Sequence, residues 1–160
     1  MNNQSNAEVF ANINGSSQYP ELQGKVIFTE VYGGTMVTVM VKGLPENGNG
    51  NFYGFHIHEG GSCTGDSTDP FKNAGGHYNP ANVEHPFHAG DMPVLMGNKG
   101  MACCEFYTDR FYPEDIVGKT VIIHDMPDDF RSQPAGDSGM KIACGVVQMN
   151  GEASSGIKSM

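Results

Sequence analysis

The chain has 160 residues, with 9 Lys plus Arg against 18 Asp plus Glu, for a formal charge of −9. No basic stripe exists to neutralise phosphates, which weighs against nucleic acid and anionic membranes as partners, and no apolar run reaches the roughly 18 residues of a membrane span. With 22 glycines and 9 prolines, the composition favours a turn-rich β-protein, of a length that suits one domain over 1–160.

The polar opening MNNQSNAEVF lacks the basic-then-apolar layout of a secretory leader, which fits a cytoplasmic protein or the mature form of an exported one. From there the pattern predicts strands. VFANI at Val9–Ile13 and KVIFTEV at Lys25–Val31 alternate, and TMVTVMV at Thr35–Val41 is β-branched and apolar. Tyr32–Gly33–Gly34 reads as a tight hairpin connection between the last two. Further strands are predicted at Asn51–His58, Gly100–Tyr107, Thr120–His124 and Lys141–Met149, punctuated by GLPENGNG, YPED and QPAGDSG. No helical periodicity of ten residues or more is present. The expected fold is an antiparallel β-sandwich or barrel of seven or eight strands, and GEASSGIKSM at 151–160 reads as a polar tail.

Two segments resist that scheme. Glu59–Lys99 and Asp125–Met140 carry little strand pattern, and loops of such length are uncommon in compact domains unless functional or tied down. Ordering them costs on the order of 1 kcal/mol per residue, so something must offset it. The first loop carries Cys63, His77, His85, His88 and Asp91. A metal and a disulfide would supply the restraint.

In GFHIHEGG the strand period sends Phe55 and Ile57 to one face and His56 and His58 to the other. Two imidazoles about 7 Å apart along a strand converge on one small object such as a metal ion. The octapeptide alone fits a solvated surface strand equally well. The chain's other histidines are His77, His85, His88 and His124, so all six lie between positions 56 and 124. Together they are hard to read as surface residues. His77, His85 and His88 with Asp91 supply three nitrogens and one carboxylate, the donor set of a closed tetrahedral zinc site. His56, His58 and His124 add strand-borne nitrogens, and all-imidazole ligation suits copper. One histidine can serve both ions through a deprotonated ring. Among Cys63, Cys103, Cys104 and Cys144 there is no CxxC, which excludes a zinc ribbon or thioredoxin-type motif and leaves room for one disulfide. Cys103 and Cys104, adjacent on a strand, point to opposite faces and read as packing residues.

GFHIHE, GGHYNP, HAGDMP, VIIHD and IACGVV, in this order, resemble the copper/zinc superoxide dismutases, particularly their bacterial branch, over roughly residues 24–150. The resemblance implies an eight-stranded Greek-key β-barrel and disproportionation of superoxide to O₂ and H₂O₂, with copper and zinc as cofactors. It implies copper ligands His56, His58, His77 and His124, and zinc ligands His77, His85, His88 and Asp91, with His77 bridging and delivering a proton. Asp128 matches a carboxylate that links a copper-ligand histidine to a zinc-ligand histidine, and such partners orient ligand rings. Cys63 and Cys144 match the family's disulfide. The resemblance is compatible with a monomer or a homodimer.

Two departures stand out. Lys141 occupies the place of the family's arginine beside copper, exchanging a rigid fork of donors for a flexible point charge, so reduced activity is expected. HPFH leaves only two residues between His85 and His88, which puts zinc geometry in question. A second reading is therefore a dismutase-like copper- and zinc-binding protein with little turnover.

Overall fold

A computed structural model describes residues 7–150. The tail expected at 151–160 lies outside the described residues. The strands are β1 (Glu8–Gly15), β2 (Gln23–Val31), β3 (Gly34–Lys42), β4 (Phe52–Tyr53), β5 (Phe55–His58), β6 (Leu95–Met96), β7 (Ala102–Thr108), β8 (Thr120–His124) and β9 (Lys141–Asn150). Two 3₁₀ turns, Lys72–Ala74 and Pro113–Ile116, are the only helical elements among the described residues.

Seven strands form one curled antiparallel sheet in the order β5-β8-β9-β1-β2-β3-β7, while β4 and β6 pair as a separate ribbon. The eight strands expected of a barrel thus appear as a half-barrel of seven with a two-stranded ribbon beside it. The reason lies at Gly54, where the single strand predicted over 51–58 breaks. Its N–H donates to the Met126 carbonyl and its own carbonyl accepts from the His124 N–H, both at 2.8 Å. A β-carbon there would stand 2.8 Å from the Ser138 side chain, so only glycine lets the loop after β8 approach. The short β6 falls within the segment expected to be strandless, paired to β4 through Phe52–Met96 and Tyr53–Leu95.

Elsewhere the alternation holds. Val9, Ala11 and Ile13 of β1, Val26 and Phe28 of β2, and Val37, Val39 and Val41 of β3 turn inward. They pack with Phe55, Ile57, Val121, Ile123, Ile142 and Val147 in one core. Fully burying each large apolar side chain contributes about 1.5–3 kcal/mol. The β2–β3 hairpin turns on Tyr32 and Gly33, at φ 44° and 78°, the pair of positive angles that matches strand twist in a two-residue loop.

On β5 and β8 every residue is buried. An antiparallel strand with both faces buried must be covered from outside as well, and the two long loops provide that cover. Under them sits a second small core of Phe71, Ala74, Ile122 and Cys144, with Cys63 packed against it. Cys63 is joined to Cys144 by a disulfide that closes 81 residues of sequence. Cys103 and Cys104, in contrast, are both exposed, which corrects the expectation that they pack. They lie on β7, an end strand of the sheet, with both side chains open to solvent.

Candidate metal centre

The long loop after β5 returns to it twice. His58 forms a lone bridge with His77, and His56 another with Asp91. Four backbone bonds fix these returns: Glu59 to Gly76, Tyr78 to Ile57, Ile57 to Gly90 and Gly90 to Tyr78, all 2.8–2.9 Å. The histidine face of β5 therefore has loop residues laid along it by main-chain pairing. His124 arrives from the end of β8, where the ladder to β9 shifts register between Ile123 and His124.

Six histidines and one aspartate gather into two groups. His56, His58, His77 and His124 bring one nitrogen each within 4.8 Å of one another, and so do His77, His85, His88 and Asp91 with their ligating atoms. His77 belongs to both. Its side chain is only 3% exposed.

The outward bonds of each ring decide which nitrogen faces inward. His58 donates from Nδ1 to the Gly75 carbonyl at 2.7 Å, and His124 from Nδ1 to the Gly139 carbonyl at 3.3 Å. Their Nε2 atoms consequently face each other at 3.3 Å. His56 donates from Nε2 to Asp128 Oδ2 at 2.7 Å, and His85 from Nε2 to Asp128 Oδ1 at 2.8 Å. In the second group His77 Nδ1 lies 2.7 Å from Asp91 Oδ1 and 3.2 Å from His88 Nδ1. His85 Nδ1 lies 3.0 Å from Asp91 Oδ2, near enough for a hydrogen bond but without the geometry for one.

His56 Nδ1, His77 Nε2 and His85 Nδ1 are buried with no hydrogen-bond partner. An unpaired buried polar atom costs about 1–3 kcal/mol, and three in one small region need a common remedy. Cations accepting these lone pairs provide it. The residues present therefore fit a copper ion in the four-histidine group and a zinc ion in the group with the carboxylate. The short HPFH span does not keep His85 and His88 apart, since both Nδ1 atoms reach Asp91 Oδ2, at 3.0 and 3.2 Å.

Several supporting residues escape a reading of the sequence. Gln133 braces the His85 backbone from both sides, and Arg110 donates to the carbonyls of Pro86 and His88. Gly136, at φ +71°, lies so close to Asp128 that a β-carbon would overlap its carboxylate. Gln133 and Arg110 carry no signal in the sequence, whereas glycine marks three other supports: Gly75, Gly136 and Gly139 all have positive φ and all border the histidine or Asp128 side chains.

Burial and the fields of neighbouring rings favour the neutral form of four imidazoles, His56, His58, His88 and His124. Burial, then His77 and His124, hold His56 well below the usual range, and burial, then His124 and His77, do the same for His58. Burial brings His124 from 6.5 down to about 4 and also lowers His88. At Asp91 burial pushes upward, but the hydrogen bond and field of His77 prevail and the carboxyl lies below its usual value. Neutral imidazoles and a charged carboxylate are the forms that ligate metals.

A pH dependence follows for the metal-depleted protein. Folded His56, His58, His88 and His124 titrate below the 6.5 of the unfolded chain, so on acidification the unfolded chain binds protons first at these positions. Stability is therefore intact above about pH 6.5 and is lost as pH falls toward 4, with His124 alone contributing about 3 kcal/mol. Thermal melts of metal-depleted protein between pH 7 and 4 check this; an unchanged midpoint would contradict it.

Lys141 opens β9 opposite His124. Its ammonium donates to Asp69 Oδ2 at 2.9 Å and to the Phe71 carbonyl at 3.3 Å. A hollow of about 190 Å³ lies there, lined by Thr68, Asp69, Pro70, Gly139, Met140 and Lys141. The cation beside the histidines is thus already engaged by an acid.

The chain is similar to known proteins along most of its length. The family model for copper/zinc superoxide dismutase (SODC) matches residues 22–147. Copper–zinc superoxide dismutase 2 of Aquifex aeolicus is 36% identical over 143 residues, 80% of each chain. The copper–zinc superoxide dismutase of Deinococcus radiodurans is 34% identical over 147 residues, covering 78% of this chain and 79% of its own. The solved copper/zinc superoxide dismutase from Brucella abortus superposes with a TM-score of 0.75 at 28% identity, over 87% of this chain and 98% of that one. Sequence and fold agree across most of the chain, and the two groups joined at one histidine supply the donors for both ions: the chain belongs to the copper/zinc superoxide dismutase family.

Proposed function

We propose that copper is held by His56 Nδ1 and by Nε2 of His58, His77 and His124. Zinc is held by Nδ1 of His77, His85 and His88 with the Asp91 carboxylate. The pair converts two superoxide anions and two protons into O₂ and H₂O₂. When bound, copper supplies a one-electron couple that both oxidises and reduces superoxide, and zinc a redox-silent charge.

The chain's own residues do the rest. His77 keeps Nδ1 among His88 and Asp91, so its ring stays fixed whether Nε2 is a ligand or carries a proton. A proton on Nε2 is then poised for the reduced oxygen species at the copper side. Asp128 holds the His56 and His85 rings at once, keeping each inward nitrogen free of hydrogen. The loops bury the imidazoles, and Lys141 sets the charge felt by a small anion in the hollow beside His124. The observation that carries this reading is His77, with one nitrogen in each group and Nε2 buried without a partner.

Reconstitution with copper and zinc, followed by metal analysis and pulse radiolysis, tests it. Two metals per chain with superoxide decay far above free-metal controls is the expected result. Sedimentation of the same sample separates the monomer from the homodimer. The Asp69–Lys141 pair favours a second reading, a metal-binding protein of low turnover. Two bound metals with no rate above controls would select it.

Asp69→Asn tests how far that pair matters. Lys141 is largely shielded while Asp69 is 38% exposed, so screening limits the effect. The variant is expected to raise the rate constant for superoxide by about two- to fivefold at low ionic strength, with a steeper decline as salt is added. An unchanged rate and salt slope would show that Asp69 does not restrain Lys141.

A further inference from the structure

The sulfur atoms of this chain are unusually placed. Methionine commonly fills irregular gaps in cores, yet Met40 is 58% exposed and Met101 50%, and Cys103 is exposed as a free thiol. All three belong to one patch. On β3 the inward residues are Thr35, Val37, Val39 and Val41, which sends Met40 outward. Cys103 is the direct cross-strand partner of Met40. Ala102 is buried opposite Val41, so its chain neighbours Met101 and Cys103 both project to the outer face. Directly opposed β-carbons stand about 5 Å apart and diagonal ones about 7 Å, within reach of methionine. Met40 and Met101 also line one surface hollow of about 560 Å³. The Met-x-Cys that leads into β7, Met101 to Cys103, repeats the logic of the His-x-His on β5, now with soft donors.

We propose that Met40, Met101 and Cys103 form a surface site for monovalent copper. Two thioethers and one thiolate are soft donors, the kind that select Cu(I) over hard or borderline cations. The thiolate balances the single charge of the ion, so the occupied site is neutral. No carboxylate lines the hollow, whereas Lys25 and Lys42 do, which disfavours calcium, magnesium and other oxygen-seeking dications. Binding releases the Cys103 thiol proton and involves no change of oxidation state. In strand order the site lies at the far end of the sheet from β5 and β8, which carry His56, His58 and His124. It is a separate holding place for the reduced metal and stands whether or not the buried centre turns over superoxide.

Titration of copper–zinc-loaded protein with Cu(I) tests this, under anaerobic conditions against bathocuproine disulfonate. Alkylation and mass spectrometry first establish Cys103 as a thiol. One additional Cu(I) per chain is expected, with a near-ultraviolet thiolate-to-copper band. Cys103→Ser removes both signals, the double variant Met40→Leu/Met101→Leu weakens binding roughly tenfold or more, and Cys104→Ser leaves it intact. Superoxide decay is the same in all of them, which shows that they fold. The proposal is overturned by the absence of an additional equivalent, by full affinity in the methionine double variant, or by loss in Cys104→Ser instead.

Discussion

Asp128→Asn is expected to weaken metal binding by roughly ten- to a hundredfold, the usual cost of losing a carboxylate behind a ligand ring. The wild-type carboxylate accepts from His56 Nε2 and His85 Nε2 with its two oxygens and also from the Phe130 N–H. Asparagine keeps one acceptor and replaces the other with an NH₂ donor. One of the two rings then faces a donor and must turn its lone pair toward residue 128, which moves its hydrogen to Nδ1. Nδ1 is the inward nitrogen on both rings, so that ring stops being a ligand. The carboxylate is fully buried, so bulk solvent does not reach it to offset the mismatch. Chelator competition for copper and zinc separately measures the effect, and the metal that weakens more identifies the ring that flipped. Affinities for both metals within twofold of wild type would remove Asp128 from the machinery. A Ser substitution elsewhere in MPDDF, at the exposed Asp129, serves as the control.

The side chains that gather in the two groups were legible because each part has a local signature. The period of a strand places His56 beside His58, and the cluster from His77 to Asp91 sits in a loop too long to be ordered by packing alone. The β-rich fold was legible for the same reason, since Val37, Val39 and Val41 alternate without interruption. What stayed hidden depends on contacts between distant segments. Asp69 meets Lys141 across 72 residues, and nothing in STDPFKN marks that acid as different from its neighbours. Gly54 breaks a strand because of where Ser138 arrives, a fact of tertiary packing. Cys103 and Cys104 looked like core residues because a sequence does not reveal which faces of a strand the rest of the fold leaves uncovered. The tautomers of His58 and His124 are set by the carbonyls of Gly75 and Gly139, which no side-chain pattern announces.

Breaking the Cys63–Cys144 bridge should produce the largest loss of stability. Cross-linking residues 81 apart removes loop-closure freedom from the unfolded chain worth about 4–5 kcal/mol in the chain-entropy model. For a protein of this size that corresponds to a midpoint lower by roughly 10–20 °C. The loss also reaches the site. Cys63 and Cys144 pack with Phe71, Ala74 and Ile122, so the bridge clamps the segment that carries Asp69, the Phe71 carbonyl and the Gly75 carbonyl. Those groups hold Lys141 and fix the ring of His58. In Cys63→Ser the segment is released from β9, and two changes should appear together in the metal-loaded protein. The melting midpoint falls, and copper exchanges with external chelators faster while zinc, whose ligands lie further along the loop at His85, His88 and Asp91, exchanges less so. Calorimetry and stopped-flow chelation read the two independently. A lowered midpoint with unchanged copper exchange would mean that backbone pairing of Glu59 with Gly76 and Ile57 with Tyr78 holds His58 and His77 without help from the disulfide.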